Sequence, residues 1–443
     1  MRVLLLCTVL LSCTSGAWGA PISLTAALRS GLENHPGHLA VKAETDVARA
    51  AAAVAASQKL PRLSLTENLV YTNEPGGSLF ISLNQQRLQL SPTADVYNDP
   101  DARSDFETRL LLTQPLYDPA ISYGQKQTEK LAEAAAERQQ ADAEALGLAI
   151  VTAYLEVQRA EAVLVWVESS LAESREIHRL ARERQVAGTG LKTDSLNASV
   201  QLAESRRLKL SAENNLQAAR RNLALQVGSD AEQLEIEQPL SLELVAPPAA
   251  DQPLQRADLQ ALESQRQAAD LTRQQAEAAW QPRAQAAASW SHHDRDFPFS
   301  DSADSWMLHA GLSWLLYDGS SRNQTTAKAL AQERSLAARQ RQALRQAHFD
   351  VAQAQLQAES LRLQLEVSHA AVAAAEESYQ LLLSRYRNGL TPLAELLTAQ
   401  SRQEKGRAEV VSSQVQLIHN LLRQHYLQGT LLATLLGQKG TVE

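Results

Sequence analysis

From about residue 119 to 187, and again from about 320 to 388, the chain has no interior proline and carries a repeating apolar seam. At about 1.5 Å per residue, each run makes a helix on the order of 100 Å long. A compact globular domain has no room for one such helix, and here there are two. In the first, Ile150, Tyr154, Val157, Leu164, Val167 and Leu171 fall at coiled-coil spacing; in the second, Leu365, Val372, Ala375, Tyr379, Leu382 and Tyr386 do. That is a narrow stripe rather than a wide apolar face, so each helix needs partner helices to cover it. Shorter helical segments, about 193–227 and 392–436, follow the long ones and are expected to fold back as antiparallel partners.

The two predicted hairpins turn on similar sequences, "GTGLKTDSLNA" from Gly188 and "GLTPLAELLTA" from Gly389. An acid falls six residues after each glycine, Asp194 and Glu395, then a leucine, Leu196 and Leu397, then an alanine, Ala198 and Ala399. Gly190 and Leu191 complete the first tip, and Leu390 the second. A glycine just past a helix end is the usual left-handed C-cap. An acid in the first turn of the next helix is favoured by the helix dipole. The duplication extends upstream. "PLYDPAISYGQ" from Pro115 matches "LLYDGSSRNQ" from Leu315, and "QKLPRLSL" around Pro61 matches "AAWQPRAQA" around Pro282. Each half therefore reads helix, strand, strand, long helix, turn, shorter helix. The repeats span 20–236 and 257–443 and are expected to form one intertwined domain; between them, 237–256 carries Pro239, Pro247, Pro248 and Pro253 and reads as a connector.

The short segments before the long helices alternate with period two. Leu63, Leu65, Leu69 and Tyr71 share one face; so do Ala284, Ala286, Ala288 and Trp290, and Trp306, Leu308, Ala310, Leu312 and Trp314. Phe106, Leu110 and Leu112 mark a fourth, less regular strand. One apolar and one small-polar face, with aromatics near the ends, is the pattern of a membrane β-strand, and also of a half-buried strand in a soluble sheet. Four such strands in two hairpins, joined to 100 Å helices, favour the membrane. Four strands cannot close a barrel, since even the smallest needs about eight, so several chains must share one. The long stretch 73–101 is expected to hold the ends of the first two strands and an exposed loop.

Residues 1–19 read as a cleavable export signal, with Ala17-Trp18-Gly19 as the small-x-small site. Both cysteines, Cys7 and Cys13, lie inside it, so the processed chain has no disulfide or thiol chemistry. "LLSC" ending at Cys13 has an alternative reading as a lipidation site, with Leu11 a poor fit. Beyond the signal, no stretch approaches the roughly 20 apolar residues of a membrane helix. The net charge of −8 is spread along helix faces, with no basic patch for nucleic acid. There is no phosphate loop, zinc spacing or nucleophile motif, so no enzyme activity, cofactor or metal is expected. His292, His293, Asp294 and Asp296 lie in "SHHDRDFPFSD"; adjacent histidines are not a usual ligand spacing, and the stretch reads as a loop between strands.

From Ile22 to about Gly437 the chain resembles the outer-membrane efflux proteins, the TolC-like family. The features that carry this are "ISLTAALRSGLENHPGHLAVKAE", "TQPLYD" before the long helix, the internal duplication, and the two glycine turns with their downstream acids. The resemblance implies a mainly α fold with a membrane β-barrel portion. Each chain of a homotrimer gives four strands to a shared twelve-stranded barrel, and the hairpins form a long periplasmic tunnel. It implies a passive duct from an inner-membrane pump, across periplasm and outer membrane, of the tripartite efflux or type I secretion kind. A periplasmic adaptor docks at the tips, which here are Gly188, Gly190, Leu191, Gly389 and Leu390. It also implies a resting gate, a bond from Tyr386 to Asp194, and an acid at the entrance, Glu395. Two positions depart from the family pattern: Thr391 stands where it has Arg, and Thr398 where it has a further Asp. No guanidinium is therefore expected beside the Tyr386–Asp194 pair. The alternative reading of long hairpins is a periplasmic adaptor or coiled-coil scaffold.

Overall fold

The computed structural model describes residues 21–90, 93–229, 233–242, 245–248, 254–298 and 303–437; the expected signal at 1–19, with Cys13, lies outside the described residues. In chain order the elements are α1 (Leu24–Asn34), α2 (Pro36–Ser57), β1 (Arg62–Thr72), α3 (Pro75–Asn84), α4 (Asp95–Asn98), β2 (Arg103–Tyr117), α5 (Pro119–Val186) and α6 (Lys192–Val227). The second half supplies α7 (Ala257–Ala278), β3 (Arg283–Asp294), β4 (Ala303–Ser313), α8 (Ser321–Arg387), α9 (Leu393–Gln428) and α10 (Leu431–Gly437). The repeat order is the one read from the sequence. Both long helices begin and end within a residue or so of the predicted points. Among the hairpin helices the last differs: Gly429, at φ +76°, ends α9 and separates it from α10.

The chain divides into two compact units, 44–137 with 259–342, and 1–43 with 138–258 and 343–443. Each draws on both repeats, so this division cuts across the repeat boundary.

The first unit holds an antiparallel sheet in the order β1-β2-β3-β4. Its register aligns apolar side chains into rows across all four strands. Leu65 pairs with Leu110, Leu110 with Trp290, and Trp290 with Trp306; Leu63, Leu112, Ala288 and Leu308 form the next row. These rows lie on exposed surface, with Leu65 62% and Trp306 81% accessible. The recurring Tyr-Asp pair also finds its purpose here. Asp118 Oδ1 accepts from the Ala120 N–H at 2.9 Å, and Asp318 Oδ2 from the Arg322 N–H at 2.9 Å. Each acid caps the start of a long helix, where orphan N–H groups need acceptors.

Two expectations change in this unit. Residues 73–101 hold no strand among those described: β1 stops at Thr72, and α3 and α4 occupy the stretch. Pro75 at the first turn of α3 starts a helix rather than prolonging a strand. Likewise, Ser291 to Asp294 belong to β3 rather than to a loop. His293 Nδ1 lies 2.8 Å from Asp105 Oδ2, both buried, and Gln85 Nε2 donates to Asp105 Oδ1 at 2.9 Å.

The second unit is helical. Its larger core joins Leu28 of α1, Ile150, Tyr154 and Val157 of α5, Leu223 and Val227 of α6, Leu361 and Leu365 of α8, and Ile418 and Leu422 of α9. The predicted α5 seam is thus buried against both hairpins. Tyr154 Oη donates to the Gln238 carbonyl at 2.7 Å, which fastens the connector to this core.

Candidate functional site

A second core cluster lies where the hairpins turn. Ile177 and Ala181 of α5, Ala198 of α6, Tyr379 and Tyr386 of α8, and Leu393, Leu396 and Ala399 of α9 pack together there. Four helices meet, and the two turns flank them. The turns are the same physical object. The Gly188 N–H bonds the Gln185 carbonyl at 3.1 Å and the Thr189 N–H the Arg184 carbonyl at 2.9 Å. In the second turn, the Gly389 N–H bonds the Tyr386 carbonyl at 3.0 Å and the Leu390 N–H the Arg385 carbonyl at 2.9 Å. Both are Schellman caps, which need a left-handed residue after the helix, and the glycines have φ +70° and +76°. Each tip leaves one leucine exposed, Leu191 and Leu390.

Asp194 lies in the first turn of α6, and Glu395 in the first turn of α9. Thr391 Oγ1 donates to Glu395 Oε2 at 2.6 Å, so the threonine holds the acid that follows it. Glu395 is exposed. Thr398 is also exposed and donates back along its own helix to the Ala394 carbonyl at 2.8 Å. Tyr386 is 2% exposed. Burial pushes its phenol up, the Asp194 carboxylate pushes the same way, and Arg184 opposes. The phenol therefore stays protonated and can donate. The structure brings Tyr386 and Asp194 within electrostatic reach, with no hydrogen bond between them among the described residues.

What the sequence did not predict is Arg184. Its guanidinium lies over the Tyr386 ring, 5.0 Å from the centroid, and Nη1 donates to the Tyr386 carbonyl at 2.5 Å. The expectation of no guanidinium beside this pair is overturned. The cation comes from the last turn of α5 rather than from the position Thr391 fills. A basic residue four before Gly188 was the only signal, and it predicts a helix-dipole contact, not a reach to the other hairpin. A second, longer link joins the hairpins, Arg387 Nη2 to Glu176 Oε1 at 3.4 Å.

Further along the same helices lies a buried polar layer. Gln400 Nε2 donates to Ser174 Oγ, and Ser174 Oγ meets Ser205 Oγ, each at 2.8 Å. Beyond it, Arg407 Nε sits 2.8 Å from Glu376 and Nη1 3.5 Å from Glu173, while Ser170 bonds Glu404. Burial pushes the Glu173 and Glu404 carboxyls above the usual range. For Glu173, Arg407 opposes the rise, and Glu404 and Glu376 add to it. Among the described residues, three half-buried carboxylates, Glu173, Glu376 and Glu404, thus gather around the Arg407 guanidinium.

In the sheet, β1 and β4 are the edges, each paired on one side only within the chain. Trp306 and Trp314 bound the apolar rows, and Trp314 Nε1 donates to the Trp280 carbonyl at 2.9 Å. Trp306 lies in β4 and Trp314 just past its end, eight residue steps or roughly 27 Å apart along the strand direction. An apolar band about 25 Å tall with aromatic girdles is what an outer-membrane barrel presents to lipid. No described helix is long and apolar enough to cross a membrane.

Known proteins share this fold. The sequence model described as "Outer membrane efflux protein" matches residues 27–229 and 252–423. No curated protein matches the sequence. Among solved structures, a membrane protein from Pseudomonas aeruginosa superposes with a TM-score of 0.79 at 20% identity, over 91% of this chain and 93% of that one. The Campylobacter jejuni CmeC outer membrane channel gives 0.81 at 14% identity, over 92% and 86%. The outer membrane protein VceC from Vibrio cholerae gives 0.75 at 18%, over 93% and 96%. With its duplicated hairpins, four-stranded sheet and a family match over most of its length, the chain belongs to the outer membrane efflux proteins.

Proposed function

We propose that this protein is the passive exit duct of a tripartite efflux or type I secretion assembly. Three copies share one twelve-stranded barrel, and an inner-membrane pump with its periplasmic adaptor supplies energy and cargo. The observation that carries this reading is the open four-stranded sheet: an exposed apolar face, bounded by tryptophans, with a strand at each edge paired on one side only. Such a sheet is unstable alone in lipid, because no water is there to satisfy its edge N–H and C=O groups, and in water the same edges are templates for pairing. Other copies of the same sheet supply them. The twin Schellman tips give each copy two near-identical ends, so three copies offer six similar docking points to adaptors. Gly188, Gly190, Leu191, Gly389 and Leu390 form those points. Tyr386 and Asp194 hold the resting entrance, and Glu395, exposed and held by Thr391, sets the charge at its mouth.

Native mass spectrometry of detergent-extracted protein tests the assembly. Three copies are expected; a stable pore formed by one chain would overturn the shared barrel.

A further inference from the structure

We propose that Arg184 is a positioning residue that couples the two hairpin tips, because one residue serves both helix caps. Its backbone carbonyl accepts the Thr189 and Gly190 N–H groups, each at 2.9 Å, and so closes the first tip. Its side chain crosses to the second tip and donates to the Tyr386 carbonyl, the same oxygen that accepts the Gly389 N–H of the second cap. The guanidinium face covers the Tyr386 ring. Neither tip can move from the other without unmaking these contacts.

The surrounding glycines are moulded to this residue. A Cβ on Gly190 would sit 2.9 Å from Arg184 Cβ and 3.1 Å from its carbonyl carbon. A Cβ on Gly389 would sit 3.2 Å from Arg184 Nη2. Gly188, whose φ alone calls for glycine, has nothing within 4 Å. Two glycines, one on each tip, thus leave room for one arginine. A carbonyl already bonded to one N–H has a second lone pair, and a planar guanidinium can donate to it while its face lies on a ring.

The blander role for a cation in the last turn of a helix is to neutralise that helix's own dipole, for which lysine serves as well. The clamp needs the planar fork and the stacking face, which lysine lacks. Arg184→Lys therefore separates the two roles. The coupling itself is read from the tips; its channel consequence rests on the exit-duct reading.

Outside the leader the chain has no cysteine, so Val186→Cys and Leu390→Cys, both at exposed positions, can carry spin labels across the tips. Labelled chains diluted with unlabelled ones report the distance within one copy. The parent should give one narrow distribution. Arg184→Ala and Arg184→Lys should both broaden it and raise the open-to-closed ratio in planar bilayers by about tenfold, the scale of one lost hydrogen bond to a charged group. Unchanged distances in Arg184→Ala, or full recovery in Arg184→Lys, would overturn the clamp. Broadened distances with unchanged conductance would leave the clamp standing and sink the gate reading. If Tyr386→Phe with Asp194→Ala opens the channel while Arg184→Ala moves neither distance nor conductance, the gate stands and the clamp falls.

Discussion

Replacing Arg407 with glutamine removes the guanidinium from the half-buried cluster of Glu173, Glu376 and Glu404. Breaking a fully buried ion pair by deleting one partner costs about 3–5 kcal/mol. Here the Arg407, Glu173 and Glu376 side chains are 25%, 19% and 44% exposed, so solvent screens part of the loss. About 1–3 kcal/mol is expected at neutral pH. The pH dependence carries the sharper test. Burial raises the folded-state pKa of Glu173 and Glu404 above the ordinary carboxyl value of about 4.5. A raised carboxyl binds its proton more tightly in the folded state. Its contribution is therefore full below about 4.5 and is lost as pH rises through the folded-state value. Removing Arg407 takes away the cation that opposes this rise at Glu173, so the deficit should be largest near neutral pH and shrink on acidification. Glu263, which the Arg266 guanidinium beside it holds down to about 2, adds no slope above roughly pH 5. Circular-dichroism melts of the detergent-solubilised protein at about pH 7.5 and about pH 5 measure this difference. A deficit of equal size at both would refute the reading of the layer as an electrostatically loaded one.

The two tip glycines should not behave alike. Gly188→Val and Gly389→Val each cost on the order of 1 kcal/mol for positive φ, but only the second also displaces the Arg184 guanidinium. Gly389→Val should therefore lower the melting temperature and pump-dependent export more; export that persists with both changed would remove the tips as docking points. Glu395→Gln keeps an acceptor for the Thr391 hydroxyl and loses only the charge, so reversal potentials should show weaker cation preference at an unchanged resting conductance. Unaltered selectivity would take Glu395 out of the entrance.

Helix boundaries were legible wherever proline or glycine sets the backbone. Pro119 starts α5, and Gly188 and Gly389 end the long helices, because φ restrictions are local and written in single residues. Period-two alternation, the signature of side chains pointing to opposite faces, located the strands, least cleanly in β2. The expected strand ends in 73–101 are instead α3 and α4, because Pro75 at the start of Pro75–Asn84 opens a helix. The seam tyrosines Tyr379 and Tyr386 were readable as coiled-coil positions, and both are buried. The buried polar layer was not, since Ser174, Gln400 and Glu404 look like any solvated helix face until two hairpins close over them. Arg184 was the least legible of all. Its partner Tyr386 lies on the other hairpin, and no local rule connects a helix C-terminus to a carbonyl in a different turn.

The sheet's edges carry a geometric consequence of their own. The strand that opens the sheet, β1, and the one that closes it, β4, are different surfaces, so copies joined through them meet head to tail, a heterologous contact that forms a ring only if its rotation closes. Up-and-down order with an even strand count makes β4 of one copy run opposite to β1 of the next. Every seam between copies is then antiparallel, like every joint within a copy. Direction consequently places no limit on how many copies close; the twist and stagger of the strands alone must choose the number. A chain with three strands would have forced a parallel seam at each junction, interrupting the ladder. Four is the smallest even count that also gives each repeat its own hairpin, so the repeated halves and a uniform ring of copies would follow from one arithmetic.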